Sequence, residues 1–286
     1  MTPADARLAV LGHPIAHSKS PLLHAAAYDR LGVTWRYDAI DLTTDGLPDF
    51  IGSRGAIWRG LSLTMPLKRE VLPLLDSSDP LVVQTGSANT VLFDQRHGRR
   101  WISGFNTDVY GIAEAFRLNG RSRLDVVQIL GGGATAASAI AAVGSLGATR
   151  VLVSVRTTER AAHLVALGAG LGVEVAIGKL SDAAASGPGF APDAIISTLP
   201  NAVESPVGFP ADIRKRAVLF DVAYSPWPTS LASSWYDVGG AVIGGLDMLV
   251  LQALMQVRIF VSGNPDLVLE QESEVLAAMR ASVELH

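Results

Sequence analysis

The run Val126-Val127-Gln128-Ile129-Leu130-Gly131-Gly132-Gly133-Ala134-Thr135-Ala136 constrains the fold more than any other part of the chain. A stretch suited to a buried strand runs straight into three glycines. An Ala-rich stretch with helical character, Thr135–Leu146, follows and stops at Gly147. Arg150–Val155 then reads as a second strand, which completes a βαβ unit. The spacing G-x-G-x-x-A in this setting is what a dinucleotide-binding turn requires. Gly131 makes the tight turn, Gly133 lets the backbone approach a pyrophosphate, and Ala136 lets the helix close on the sheet. Backbone N–H groups at the helix start then hold the anion. A tight βα turn without any ligand would show the same letters.

Strand-like and helix-like segments alternate along the rest of the chain, which predicts an α/β fold with parallel sheets. Strands are expected at Leu8–Leu11, Trp35–Asp41 and Leu61–Thr64, and a hairpin at Asn89–Phe93 and Arg100–Ser103 around Gly98. Helices are expected at Pro21–Leu31, with Ser20 as its N-cap and Gly32 past its end, at Leu67–Leu75 after Pro66, and at Asp108–Leu118. Beyond the glycine turn the pattern predicts a helix at Glu159–Leu167 and strands at Ala194–Ser197, Val218–Val222 and Ala241–Ile243. A long helix at Leu246–Ser262 and a final one near Leu267–Val283 follow. Ala183–Pro192 is a loop by composition. The change of texture near residues 104–110 places one domain at 1–105 and a nucleotide-type domain at 106–245. The C-terminal helices, 246–286, then pack on one or the other.

Composition narrows the function. With 286 residues, 49% hydrophobic and 17% charged, the chain can build sizeable cores. A net charge of −4 gives no basic footprint for nucleic acid. With no cysteine, disulfides, thiolate catalysis and thiolate metal sites are excluded, which fits a cytoplasmic protein. Val126–Thr149 carries no charge, but its central glycines suit a buried βα unit better than a membrane span. No signal peptide is visible in Met1–Arg7.

The second strand ends in Ser154-Val155-Arg156-Thr157-Thr158, with no carboxylate before Glu159. NAD-type folds carry an acid there for the ribose hydroxyl; an Arg suits a 2′-phosphate, so Arg156 favours NADP. An enzyme that moves a hydride to or from an alcohol carbon also needs a group to move the hydroxyl proton. Lys68, in the first turn of a helix after Thr64, is one candidate, although a solvated surface lysine would look alike. Asp108, at the start of the helix that crosses the domain boundary, is the second; an acid favoured by the helix dipole would look alike. His13, His17 and His24 lack metal-ligand spacing and read as structural or solvated. Trp227 reads as packing, and the apolar stripe after Asp247-Met248 as core.

The stretches GHPIAHSKSP, SLTMPLK, TGSANTV, GFNTDVYG, LGGGATA, VAYSPWPT and GGLDMLVLQA, in this order over nearly the whole chain, resemble the shikimate dehydrogenases, with the actinobacterial NADP-dependent branch nearest. The resemblance implies an N-terminal α/β substrate domain, a Rossmann-like NADP-binding domain and a cleft between them, with the C-terminal helices returning to the first. It implies reversible reduction of 3-dehydroshikimate with NADPH in aromatic amino-acid biosynthesis. Ser18 and Ser20 then match substrate-carboxylate contacts, and Thr64, Asn89, Tyr224 and Gln252 ring-hydroxyl or carboxylate contacts. Lys68 and Asp108 match the catalytic pair. Gly131, Gly132, Gly133, Ala134, Thr135, Arg156, Thr157 and Gly245 match cofactor contacts. No metal, nucleic-acid or membrane partner is implied, and a homodimer stays open. His13 and Ser62 replace usual Asn residues, Ala134 a frequent Gly, and Val155 the Asn of an Asn-Arg-Thr run. A quinate/shikimate or aminoshikimate dehydrogenase of the same family, and a non-catalytic ligand-sensing relative, are the alternatives.

Overall fold

The computed structural model describes residues 5–96, 98–184, 190–200 and 207–285. From the N-terminus, β1 (Arg7–Gly12), α1 (Ser20–Leu31), β2 (Arg36–Asp41), α2 (Leu47–Gly52), β3 (Trp58–Leu63), α3 (Leu67–Glu70), β4 (Ser77–Ser78) and α4 (Pro80–Thr85) lead to a hairpin of β5 (Thr90–Arg96) and β6 (Arg99–Phe105). Then come α5 (Asp108–Leu118), β7 (Val126–Leu130), α6 (Ala134–Ser145), β8 (Arg150–Val155), α7 (His163–Gly170) and β9 (Glu174–Lys179). After them stand β10 (Ala194–Ser197), α8 (Ala211–Arg216), β11 (Val218–Asp221), α9 (Ser230–Tyr236) and β12 (Val242–Gly244). Two helices close the chain, α10 (Gly245–Ser262) and α11 (Glu272–Ser282).

Two units result. Met1–Thr107 and Leu249–His286 form the first, and Asp108–Met248 the second. The first unit carries the sheet β2-β1-β3-β5-β6-β4. Its left half is parallel, β1 against both β2 and β3, while β5 runs antiparallel to β3 and β6. Leu11, Leu61, Leu63, Leu67, Val91 and Phe93 fill its core on one face. In the same unit α11 lies along α1, and Arg258 of α10 is hydrogen-bonded to Glu272 of α11. The second unit carries an all-parallel sheet, β12-β11-β10-β7-β8-β9. Its strands are apolar on both faces, as a sheet covered on both sides must be. β7 and β10 are buried along their whole length.

Each sheet has a place where the order of its parallel strands reverses between two central strands. It lies between β1 and β3 in the first unit and between β7 and β10 in the second. In open α/β sheets the crevice for ligands forms outside the carboxyl ends of the strands at that point. The β1–α1 and β3–α3 turns, and the β7–α6 turn, stand at these positions.

Several expected boundaries move. The helix after Pro66 stops at Glu70 instead of running to Leu75; a separate 3-10 turn at Leu72–Leu74 follows. Pro73 lacks the N–H that a continuing helix needs. At four residues, α3 is too short for its terminus to act strongly on Lys68. Glu159–Leu167 splits into a 3-10 turn, Thr158–Ala161, and α7. The last helix starts at Glu272, five residues later than Leu267, and the Leu269 N–H is taken by the Glu272 carboxylate at 3.1 Å instead of by a helix carbonyl. The strand β9 and the short helices α2, α4, α8 and α9 escape the pattern reading altogether. The loop expected at Ala183–Pro192 lies in part outside the described residues, at 185–189.

Candidate active site

The first turn, Gly12–Lys19, is tied to its neighbours on both sides. The His13 N–H donates to Met65 O at 2.9 Å, and its ring pairs with Asp41 at 2.7 Å. The Ile15 N–H reaches the same Asp41 carboxylate. Thr64 N–H donates to Leu11 O at 2.9 Å, so the turns after β1 and β3 stand side by side. The cap of α1 differs from expectation: Lys19 occupies it, in a helical rather than extended conformation, and Ser20 is the first helical residue. The reason is Ser18, whose Oγ accepts the Ser20 N–H at 3.3 Å and does the work assigned to Ser20. The Ser18 hydroxyl is half-exposed. Ser20 is buried and bonded to the Tyr37 hydroxyl.

Behind these turns lies a buried polar cluster. Asn89 precedes β5 and is 2% exposed. Its Oδ1 accepts the backbone N–H of Thr107 at 2.9 Å, a group that can only donate, so its Nδ2 must face the other way. There Nδ2 meets Thr107 Oγ1 at 2.8 Å and Gln252 Oε1 at 3.2 Å. Lys68 is placed by its own backbone: its carbonyl accepts the Ala88 N–H, next to Asn89, and its side chain is half-buried. The first unit thus carries Ser18, Ser20, Thr64, Lys68, Asn89 and Gln252, and gathers Asn89 and Gln252 into one hydrogen-bonded group. Asp108, buried at the start of α5, and Tyr224, half-buried in the loop after β11, belong to the second unit. That loop is held by Asp221, which accepts from Thr229 Oγ1 at 2.6 Å and from the Ala223 N–H. Burial pushes the Asp221 carboxyl up from its ordinary value.

The glycine turn has the shape a dinucleotide phosphate needs. Gly131 has φ +106°, and a Cβ there would lie 2.4 Å from Thr198 Oγ1, so only glycine fits. Gly133, by contrast, has ordinary backbone angles and nothing within 4 Å of where its Cβ would be. Protein packing does not require glycine at that position. Gly132 packs on Val155, and Ala134 and Thr135 are half-buried in the first turn of α6. Arg156 and Thr157 are exposed just past β8, where an adenosine phosphate would be read. Gly245 has a structural reason of its own, since a Cβ would fall 2.1 Å from Val222 O. Trp227 covers Gly244 with its ring edge and is 40% exposed, in keeping with a packing role.

Residues 10–91 match the family model described as the shikimate dehydrogenase substrate binding domain. The NADP(+) shikimate dehydrogenase of Ignicoccus hospitalis is 33% identical over 90% of this chain and 94% of that protein. The chain belongs to the shikimate dehydrogenase family. Among solved structures, the Mycobacterium tuberculosis shikimate dehydrogenase is 36% identical with a TM-score of 0.79, over 96% of this chain and 99% of that one. The Thermus thermophilus shikimate 5-dehydrogenase, determined with NADP(H) and shikimate, is 31% identical with a TM-score of 0.77, over 97% and 99%. Family membership settles the fold class: two α/β units, one of them Rossmann-like.

Thr107, Thr90, Gln256 and Thr198 are the polar residues of these sites that sequence reading passed over. Thr107 sat in view inside GFNTDVYG. Gln256 lies one helical turn after Gln252 on α10, a spacing that puts both on one face.

Proposed function

We propose that this chain catalyses the reversible reduction of 3-dehydroshikimate to shikimate with NADPH, within aromatic amino-acid biosynthesis. The observation that carries the reading is the position of Ser18, Thr64 and Lys68 on the two turns at the strand-order reversal of the first sheet, backed by the Asn89–Gln252 pair. Ser18 and Ser20, at the start of α1, are the groups for the substrate carboxylate. Hydroxyl donors and the N-terminal end of a twelve-residue helix both favour an anion there. Thr64, Asn89 and Gln252 supply directed donors and acceptors for ring hydroxyls, and Tyr224, on the second unit, is a further candidate for such a contact. Lys68 and Asp108 take the acid–base roles: the proton gained by the substrate oxygen on reduction, and lost on oxidation, is exchanged with this ammonium–carboxylate set. Gly131, Gly132, Gly133, Ala134 and Thr135 present the backbone for the cofactor pyrophosphate, and Arg156 with Thr157 the groups for the 2′-phosphate. Bound NADPH supplies the hydride. Gly245 enters only through the backbone it lets close on Val222.

The enzyme is read as cytoplasmic and as acting on a small molecule, with its assembly left open between monomer and homodimer. Initial rates with shikimate and with quinate, each with NADP and with NAD, test the assignment. The expected ranking puts shikimate with NADP first. Faster turnover of quinate with NAD would instead make the chain a quinate/shikimate dehydrogenase, and no turnover of either would return it to a ligand-sensing role.

A further inference from the structure

The polar cluster continues away from the substrate side into the interior of the first unit, and every amide and ring orientation along it is determined. Gln256 is 2% exposed. Its Nε2 points at Asn89 O, 3.3 Å away, which can only accept, and at Thr90 Oγ1, 3.1 Å away. Its Oε1 must therefore accept, and it does so from Ser62 Oγ at 2.8 Å and from His24 Nε2 at 3.2 Å. His24 is fully buried and desolvation pulls its pKa down to about 3, so the ring is neutral with its proton on Nε2. Its Nδ1 then accepts from the Tyr28 hydroxyl at 3.0 Å. Ser62 is in turn approached by the Tyr37 hydroxyl at 2.7 Å. On the other side, Thr90 Oγ1 accepts from Gln256 and passes its own proton to Asn89 Oδ1 at 2.8 Å. The donors all run one way, from the Tyr28–His24 and Tyr37–Ser62 ends through Gln256 and Thr90 to the Asn89 carboxamide.

We propose that Gln256 and Thr90 form a positioning relay: they hold Asn89 in the one amide orientation that keeps its Nδ2 on Thr107 and Gln252, so that the Asn89–Gln252 pair meets the substrate hydroxyls in a fixed arrangement. Asn89 receives this support at two atoms, its backbone carbonyl from Gln256 and its Oδ1 from Thr90. Thr90 adds a second donor to Oδ1 beside the Thr107 N–H, and Gln256 fixes the backbone from which the carboxamide projects. Without the Thr90 donor the carboxamide is held less tightly against Gln252. Ser62 belongs to the same device, since its hydroxyl donates a hydrogen bond to Gln256 Oε1 at 2.8 Å. The relay touches no reacting atom, and it rests on the reading that Asn89 and Gln252 contact substrate.

The test is steady-state kinetics of Thr90→Val, Thr90→Ser, Gln256→Met and the Thr90→Val/Gln256→Met double variant, with Asn89→Ala alongside. Thr90→Val keeps the shape and removes the hydroxyl. It should raise KM for shikimate roughly tenfold, since a misplaced positioning group is felt in binding geometry, with KM for NADP unchanged. Thr90→Ser restores the hydroxyl and should restore KM. Because both residues act through one amide, the double variant should lose no more than the worse single one. A Thr90→Val enzyme with unchanged KM beside an impaired Asn89→Ala enzyme overturns the relay and leaves the site intact. Multiplying effects in the double variant overturn it too. An Asn89→Ala enzyme with unchanged KM removes the site reading on which the relay depends. If Gln256→Met does not fold, the Thr90 pair alone decides.

Discussion

After β7 the chain offers backbone and open space: Gly133 has no neighbour where a side chain would be, and its glycine serves whatever comes to lie against it. After β3 and before β5 the chain offers side chains already spoken for. Asn89 meets Thr90, Thr107 and Gln252, and Gln256 behind it uses both of its polar atoms. Under the proposed function, the difference follows from what each region would recognise. A pyrophosphate is a diffuse anion that any set of N–H groups can hold, so the turn needs only room and direction. Ring hydroxyls are each donor and acceptor, and only fixed partners can tell one arrangement from another. The first kind of site tolerates changes in its surroundings but not a Cβ. The second tolerates small changes of volume but not a lost partner.

Three measurements can break or sharpen this contrast. Lys68→Ala should have the largest effect, lowering kcat by roughly 10²–10⁴ with shikimate binding largely kept, because a proton-transfer group is removed and no positioning group is. Single-turnover rates and an equilibrium titration with shikimate check it; near-normal turnover removes Lys68 from the acid–base role. Next come the two glycines. Gly133→Val should leave the melting temperature unchanged yet raise KM for NADP by about a hundredfold, since the added atoms occupy only the ligand's space. Gly131→Ala should cost roughly 1–3 kcal/mol of stability, because a side chain is forced into positive φ against Thr198. If Gly133→Val lost stability and kept its cofactor, the open space would have a structural purpose.

The smallest effect is read in pH. His24 titrates at about 3 in the folded protein and near 6.5 unfolded, so between these values the unfolded chain binds the extra proton. Its share of stability is therefore complete above pH 6.5 and declines as the pH falls toward 3. Between pH 7 and 5 the loss should be about 2 kcal/mol, measured as the change in urea unfolding free energy, and a His24→Gln protein should lose correspondingly less. Equal pH slopes in the two proteins would show that His24 is charged inside the fold, and with it the tautomer assigned to the relay would fall.

Much of the architecture was open to reading because it is local. α5, β7, β8 and β10 begin and end where their residues suggest, since apolar runs and helix stops act over a few positions. The cap of α1 was misplaced by one residue because Ser18 and Ser20 both suit the task and only the turn geometry chooses. The strand β9 was missed because its apolar run is only Val175–Ile177, between Glu174 and Gly178-Lys179, and its pairing with β8 sustains it.

By itself, the chain's order of residues determined the βαβ turn, the absence of an acid after β8, the presence of Lys68 and Asp108, and, through the run of shared stretches, the family. These are properties of neighbours in sequence. Tertiary structure decided which turns stand at the strand-order reversals, why Gly131 and Gly133 are glycines for opposite reasons, and that His24 is neutral. It also decided that Gln256, 167 residues beyond Asn89, bonds to that residue's carbonyl. Hydrogen bonds have direction and short reach, so a network of them exists only after packing has set its members within about 3 Å of one another, whatever their separation along the chain.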